Sequence, residues 1–217
     1  MMQDARSFQP TEAWKSREDL EWLMLLERDS KMAPEARIQE LAVCKTDPWR
    51  WLTHWVKTED TQNKEQPFQP FPGKVHLEVL TRYWQQEQFL LVPKTRQVTA
   101  TWLFVALYLH DSMFYPSRST IFQCKIEDDS DANLRRAVVI HENLPAWMRA
   151  WQPIHYTFCN VEFPRSRSTI LAVAAGAKHF RQRTLSGVMV DEAAYTDDLD
   201  EVVAACKPAL GKIGKFT

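Results

Sequence analysis

Two apolar runs that each break into a polar loop constrain this chain more than any other feature. The first, Phe89-Leu90-Leu91-Val92, stops at Pro93 and opens into Lys94-Thr95-Arg96-Gln97-Val98-Thr99-Ala100-Thr101. The second, Gly187-Val188-Met189-Val190, stops at Asp191-Glu192. Short unbroken apolar runs bounded by turn formers read as strands buried on both faces, the kind that make parallel sheets. Loops that follow such strands collect at one sheet edge, where open α/β folds place ligand chemistry. Two carboxylates delivered there suit a hydrated Mg²⁺ and an attacking water, whereas a lysine and a hydroxyl suit the phosphates of a nucleotide.

From residue 74 the pattern alternates: helix 74–86, strand 89–92, helix 100–110, strand 119–123, helix 128–143, a strand near 185–190 and a helix from about 198. The segments Tyr156–Phe163 and Thr169–Val173 read as a hairpin. This alternation predicts an α/β fold with a mostly parallel sheet flanked by helices. Ahead of it, residues 16–57 read as two or three amphipathic helices, started by Pro34 and Pro48 with Asp47 as an N-cap. The tryptophans Trp14, Trp22, Trp49, Trp51 and Trp55 are expected mainly in packing. Thr58–Gly73 reads as a linker, so the expected division is a helical extension over 1–66 and a main domain over 67–217.

The loop departs from the usual phosphate-binding pattern G-x-x-x-x-G-K-[ST]. With Thr101 at the hydroxyl position, Lys94 falls at the first glycine, Thr99 at the second and Ala100 at the lysine. Lys94 must then reach the phosphates from the strand end. Threonine or valine at positions that want positive φ carries a strain cost.

Three ordered stretches resemble the large terminase subunits of tailed bacteriophages, the motors that package DNA. They are Lys94-Thr95-Arg96-Gln97-Val98-Thr99-Ala100-Thr101-Trp102, Ile121–Lys125 followed by Asp128–Arg136, and Arg181–Ser186 leading into Val190–Tyr195. The resemblance covers roughly residues 67–206. It implies a P-loop NTPase of the RecA-like type that hydrolyses ATP with Mg²⁺. By resemblance Lys94 contacts phosphate within a loop of Lys94, Thr95, Arg96, Gln97, Val98, Thr99, Ala100 and Thr101, and Thr101 and Asp191 serve the metal. Glu192 activates water, Arg96 is a candidate arginine finger, and Arg183 or Arg181 is a candidate finger acting on a neighbouring subunit. Phe71 or Gln69, ahead of the first strand, is a candidate contact for adenine. The implied partners are double-stranded DNA, the small terminase subunit, a portal ring and further copies in a ring, in the host cytoplasm. Large terminases continue into a nuclease domain beyond the point where this chain ends, so the chain is expected to be a shortened form without nuclease activity.

The same residues support plainer readings. Asp191 with Glu192 reads equally as the N-cap and first turn of the next helix, and Arg96 as a surface ion-pair residue. A helicase-like translocating ATPase and a nucleotide-binding module without turnover are the rival functions.

Composition sets limits. The chain has 217 residues, 45% of them hydrophobic, with a formal net charge of -1, so any nucleic-acid contact must come from a local patch such as Arg165, Arg167, Lys178, His179, Arg181 and Arg183. The four cysteines are scattered without a C-x-x-C pair, which argues against zinc or a disulfide framework. No apolar run approaches the length of a membrane span.

Overall fold

The computed structural model describes residues 32–93, 99–181, 183–196 and 199–217. Two helices, α1 (Pro34–Thr46) and α2 (Pro48–Trp55), lead into a small hairpin of β1 (Lys57–Glu59) and β2 (Phe68–Pro70). Then follow α3 (Val75–Gln86), α4 (Ala100–Phe114), β3 (Ser119–Gln123), α5 (Glu127–Glu142), α6 (Ala146–Trp151), β4 (His155–Thr157), β5 (Asn160–Phe163), β6 (Ser168–Val173), β7 (Gly187–Val190), α7 (Leu199–Leu210) and β8 (Lys215–Phe216). Between them lie single 3-10 turns at Ala177–His179 and Ala193–Tyr195. The main sheet has the order β4-β5-β6-β3-β7-β8.

The sheet is mixed. The pairs β6–β3, β3–β7 and β7–β8 are parallel, whereas β4–β5 and β5–β6 are antiparallel. The stretch expected as one arm of a hairpin folds on itself at Phe158-Cys159, with Cys159 at φ 59°, and yields two strands instead of one. The expected strand at 89–92 shrinks to a one-residue parallel bridge between Phe89 and Phe216. Leu91 is 81% exposed, and Pro93 has no N–H to donate. The helix expected over 100–110 runs on to Phe114.

Pleating sends alternate residues of β3 and β7 to opposite faces. Phe122 and Met189 enter the core shared with α4 and α5, and Ile121, Val188 and Val190 enter a second core under α7. Helix α4 is apolar on every side, with Leu103 through Phe114 all buried, so it needs cover away from the sheet as well. Helices α2 and α3 supply it. Trp51 packs on His110 and Phe114 at centroid distances of 5.4 and 6.3 Å, and Trp84 meets Tyr108 edge-on at 5.5 Å.

Trp49, Trp51 and Trp55 are therefore core residues, as their spacing suggested, while Trp14 and Trp22 lie outside the described residues. Asp47 caps α2 by accepting from Trp49 and Arg50 backbone N–H groups. The segment expected as a linker is folded: β1 and β2 pair, and Phe71 N–H donates to the Val56 carbonyl. One hydrophobic core holds residues from both sides of residue 66, Trp49, Trp51 and Trp55 among them with Phe71, Leu77 and Trp84.

Candidate active site

Strands β3 and β7 run parallel and end side by side, at Gln123 and Val190. One further ladder bond, from Asp191 N–H to the Gln123 carbonyl at 3.0 Å, carries β7 one residue on before it turns. The next residue after Met189 on the α4 face is Asp191, and α4 begins at this same edge. The Thr101 hydroxyl, in the first turn of α4, donates to Asp191 Oδ2 at 3.0 Å. The other carboxylate oxygen accepts the Glu192 N–H at 3.0 Å. Both oxygens of Asp191 are thus held, and the hydroxyl and carboxylate that the sequence pairs across two loops meet at one point.

Two backbone outliers flank that point. Thr99 lies at φ 63°, ψ 7°, and Glu192 at φ 55°, ψ 39°. Left-handed backbone at residues other than glycine costs about 1–3 kcal/mol and concentrates at functional sites. Thr99 is the residue that falls where the standard loop has its second glycine, so the glycine conformation is kept without the glycine. Glu192 is exposed and opens the 3-10 turn Ala193–Tyr195, so the plain reading of Asp191-Glu192 as a helix start holds in part. A single turn follows Glu192, and α7 begins only at Leu199.

Strand β7 is held in place from below. The buried Tyr108 hydroxyl donates to the Val188 carbonyl at 2.8 Å. Its ring crosses so close to Gly187 that a β-carbon there would lie 2.5 Å from Cε1. Beside the site, burial and then the nearby Asp191 carboxylate push the Cys124 thiol up to about 11, which leaves it a neutral thiol and no nucleophile.

Among the described residues no group of three or more His, Cys, Asp or Glu is arranged to cage a metal ion. Mg²⁺ does not need one, since it is commonly held by one or two protein oxygens with phosphate and water completing the octahedron. The 3.0 Å between Thr101 Oγ1 and Asp191 Oδ2 matches the ~2.9 Å edge of an octahedron with bonds of ~2.05 Å. The pair fits Mg²⁺ on that test.

The other expected site residues are distributed unevenly. Lys94, Thr95, Arg96, Gln97 and Val98 lie outside the described residues. Ala100 is buried at the start of α4. Phe71 is 1% exposed and packs edge-on to Trp49 at 6.3 Å, which makes it a core residue with little ring surface to offer a base. Gln69 is half-buried. Arg183 precedes β7, whereas Asp191 follows it, so the two stand at opposite ends of a strand about 13 Å long. Arg183 instead lines an open groove of about 450 Å³ with Phe180, Glu201 and Pro208, where Arg181 pairs with Glu201 at 2.9 Å.

No protein-family model matches the chain, and no curated protein matches it. Solved structures do. The HK97 bacteriophage large terminase aligns over 76% of this chain and 35% of its own, with a TM-score of 0.61 at 10% identity. An arginine-to-alanine variant of the Thermus phage P74-26 large terminase ATPase domain aligns over 74% of this chain and 70% of its own, with a TM-score of 0.54 at 13% identity. The chain spans about a third of the HK97 protein and, in a second P74-26 ATPase domain structure, 56% of that chain. At these identities the likeness is one of architecture: this chain has an α/β fold similar to that of tailed-phage large-terminase ATPase domains.

Proposed function

We propose that the chain is the Mg²⁺-dependent ATPase domain of a viral DNA-packaging terminase and powers translocation of double-stranded DNA into a procapsid. The observation that carries this reading is the Thr101–Asp191 pair at the carboxyl edge of the parallel strands, preceded by left-handed backbone at Thr99. In this reading Thr101 and Asp191 hold Mg²⁺, directly or through water, and the metal neutralises charge on the transferring phosphoryl group. Asp191 is prevented from turning away because both of its oxygens are occupied. Glu192, exposed at the same edge, accepts the proton of the attacking water. Lys94 and the amides of residues 95–100 cradle the phosphates, and Arg96 stabilises transition-state charge from within its own chain. Arg183, at the far end of β7, serves only a neighbouring subunit's site. The small terminase subunit, the portal ring and further copies of the chain are the partners this reading requires, in the cytoplasm of the host.

The test is turnover and binding measured together. Glu192→Gln should bind Mg-nucleotide as the parent does and lose at least about 100-fold in turnover, the lower end of what a general base contributes. Unchanged turnover removes Glu192 from this role, and absence of nucleotide binding by the folded parent removes the ATPase reading.

A further inference from the structure

At the end of α4 away from Thr101, a cleft of about 210 Å³ opens between that helix, the junction of α1 with α2, the end of α3 and β8. Asp111 stands on its wall, and the path along α4 from Thr101 to Asp111 is about 15 Å at 1.5 Å per residue. The cleft is therefore separate from the Thr101–Asp191 pair. Three cations line it, Lys45, Arg118 and Lys215, against one carboxylate, Asp111. His110, on the same wall, is neutral, because burial holds it down at about 4. Glu87 lies beyond the lining and is exposed. The cleft thus carries an excess of positive charge in a chain whose formal net charge is -1.

Arg118 is fixed on every side but one. Its backbone N–H donates to Ser168 Oγ at 3.1 Å, its carbonyl accepts the Thr169 N–H at 2.8 Å, and its Nε donates to Asp111 Oδ2 at 2.6 Å. The side chain is only 18% exposed, yet Nη1 and Nη2 have no hydrogen-bond partner among the described residues. A partly desolvated ion pair is weak support for a fold, and apolar residues of similar volume commonly serve as well. Lys45 makes no ion pair among the described residues; its ammonium rests 5.2 Å from the centre of the Tyr115 ring. Lys215 gives two protons to the Gln85 and Glu87 carbonyls at 2.8 and 2.9 Å, and its third has no hydrogen-bond partner among the described residues.

We propose that this cleft is a binding site for a phosphate-type oxyanion, distinct from the nucleotide site. The open end of the Arg118 guanidinium presents two parallel N–H groups, the geometry that takes two oxygens of a phosphate at once. Asp111 holds that fork in position without filling it, since it engages only Nε. Lys45 at the rim and Lys215 on β8 answer the remaining oxygens. A carboxylate ligand has two oxygens and leaves cations unanswered, whereas phosphate or pyrophosphate has enough for all three. The group reaches the cleft either as a free anion or on a polynucleotide backbone. Nothing in this assignment depends on ATP hydrolysis.

The indole N–H signal of Trp84, whose ring lines the cleft, is assigned in NMR spectra by its loss in Trp84→Phe. With EDTA present to remove Mg²⁺, inorganic pyrophosphate should move that signal saturably in the 217-residue chain, and equally in Thr101→Val, which alters the nucleotide site alone. Lys45→Gln, at the exposed rim, should raise the Kd about 10-fold, the weight of one charge-assisted hydrogen bond. Arg118→Gln should raise it at least as much; because that change also strips Asp111 of its partner, Lys45→Gln decides the matter where the Arg118 variant fails to fold. Acetate at the same ionic strength should leave the signal in place. A short DNA duplex that moves it where pyrophosphate does not identifies the backbone as the source of the phosphate. A Trp84 signal that neither ligand moves, or a Kd unchanged in Lys45→Gln, overturns the proposal, and an equal response to acetate overturns the phosphate class.

Discussion

The Thr101 hydroxyl donates to Asp191 Oδ2 across 3.0 Å and 90 residues of sequence, joining the first turn of α4 to the end of β7. If that pair holds Mg²⁺, replacing either partner should weaken Mg-nucleotide binding without unfolding the chain, because both residues are only half-buried. A ligand at 100 times its Kd adds about 2.7 kcal/mol, which for a chain of this size is a thermal shift of roughly 5–10 °C. Thr101→Val and Asp191→Asn should each lose most of the shift given by Mg-ADP, measured by differential scanning fluorimetry. A full shift in both variants places the metal elsewhere.

Thr99 holds a conformation that suits glycine. Left-handed backbone costs an L-residue about 1–2 kcal/mol, and glycine adopts it freely at an entropic cost of about 0.5–1 kcal/mol. Thr99→Gly should therefore be neutral or stabilising by up to about 1 kcal/mol in urea unfolding. A threonine-to-glycine change inside a regular helix would destabilise. A loss above 1 kcal/mol at Thr99 would mean its side chain carries contacts that outweigh the strain.

Gly187 is required by a neighbour rather than by its own φ. A β-carbon would meet Tyr108 Cε1 at 2.5 Å and Cδ1 at 2.8 Å, and the ring cannot retreat because its hydroxyl bonds to Val188 and its face meets Trp84. Gly187→Ala should cost about 1–3 kcal/mol as an overpacking change, read from the urea midpoint. Since β7 carries Asp191, the same variant should bind Mg-nucleotide more weakly than its residual folded fraction explains.

Stability should fall on the acid side through buried histidine. Burial holds His110, whose ring nitrogen lies 2.7 Å from the Cys44 carbonyl, down at about 4, and burial followed by the Arg50 charge does the same to His54. The unfolded chain binds protons near pH 6.5 and the folded chain does not, so stability is complete above about pH 6.5 and is lost as pH falls toward 4. Each histidine contributes at most about 1.4 kcal/mol per pH unit in that window. His110→Gln retains a donor for the Cys44 carbonyl and cannot titrate. Its stability between pH 4 and 6.5, from urea midpoints, should decline less steeply than the parent's, with His54, His141 and His179, whose pKa values are also lowered, supplying the rest of the slope. An unchanged slope would mean that His110 is not the titrating group.

The sequence by itself determined the sites of β3, β7, α4 and α5 to within a few residues, because the length of an apolar run and the turn formers that bound it survive any packing. The resemblance of its loops to those of large terminases named Thr101 and Asp191 together, and the structure sets them 3.0 Å apart. Other features depended on neighbours. The stretch 89–92 keeps a single bridge, from Phe89 to Phe216, and 156–163 became two strands because Cys159 turns left-handed. The linker's folding and the fate of Phe71 followed from the need to cover α4 on its outer side. Gln123 looked like one more residue of a buried strand. Only the tertiary structure buried its amide without a partner among the described residues, because burial and hydrogen-bond satisfaction belong to the assembled sheet and not to any stretch of chain.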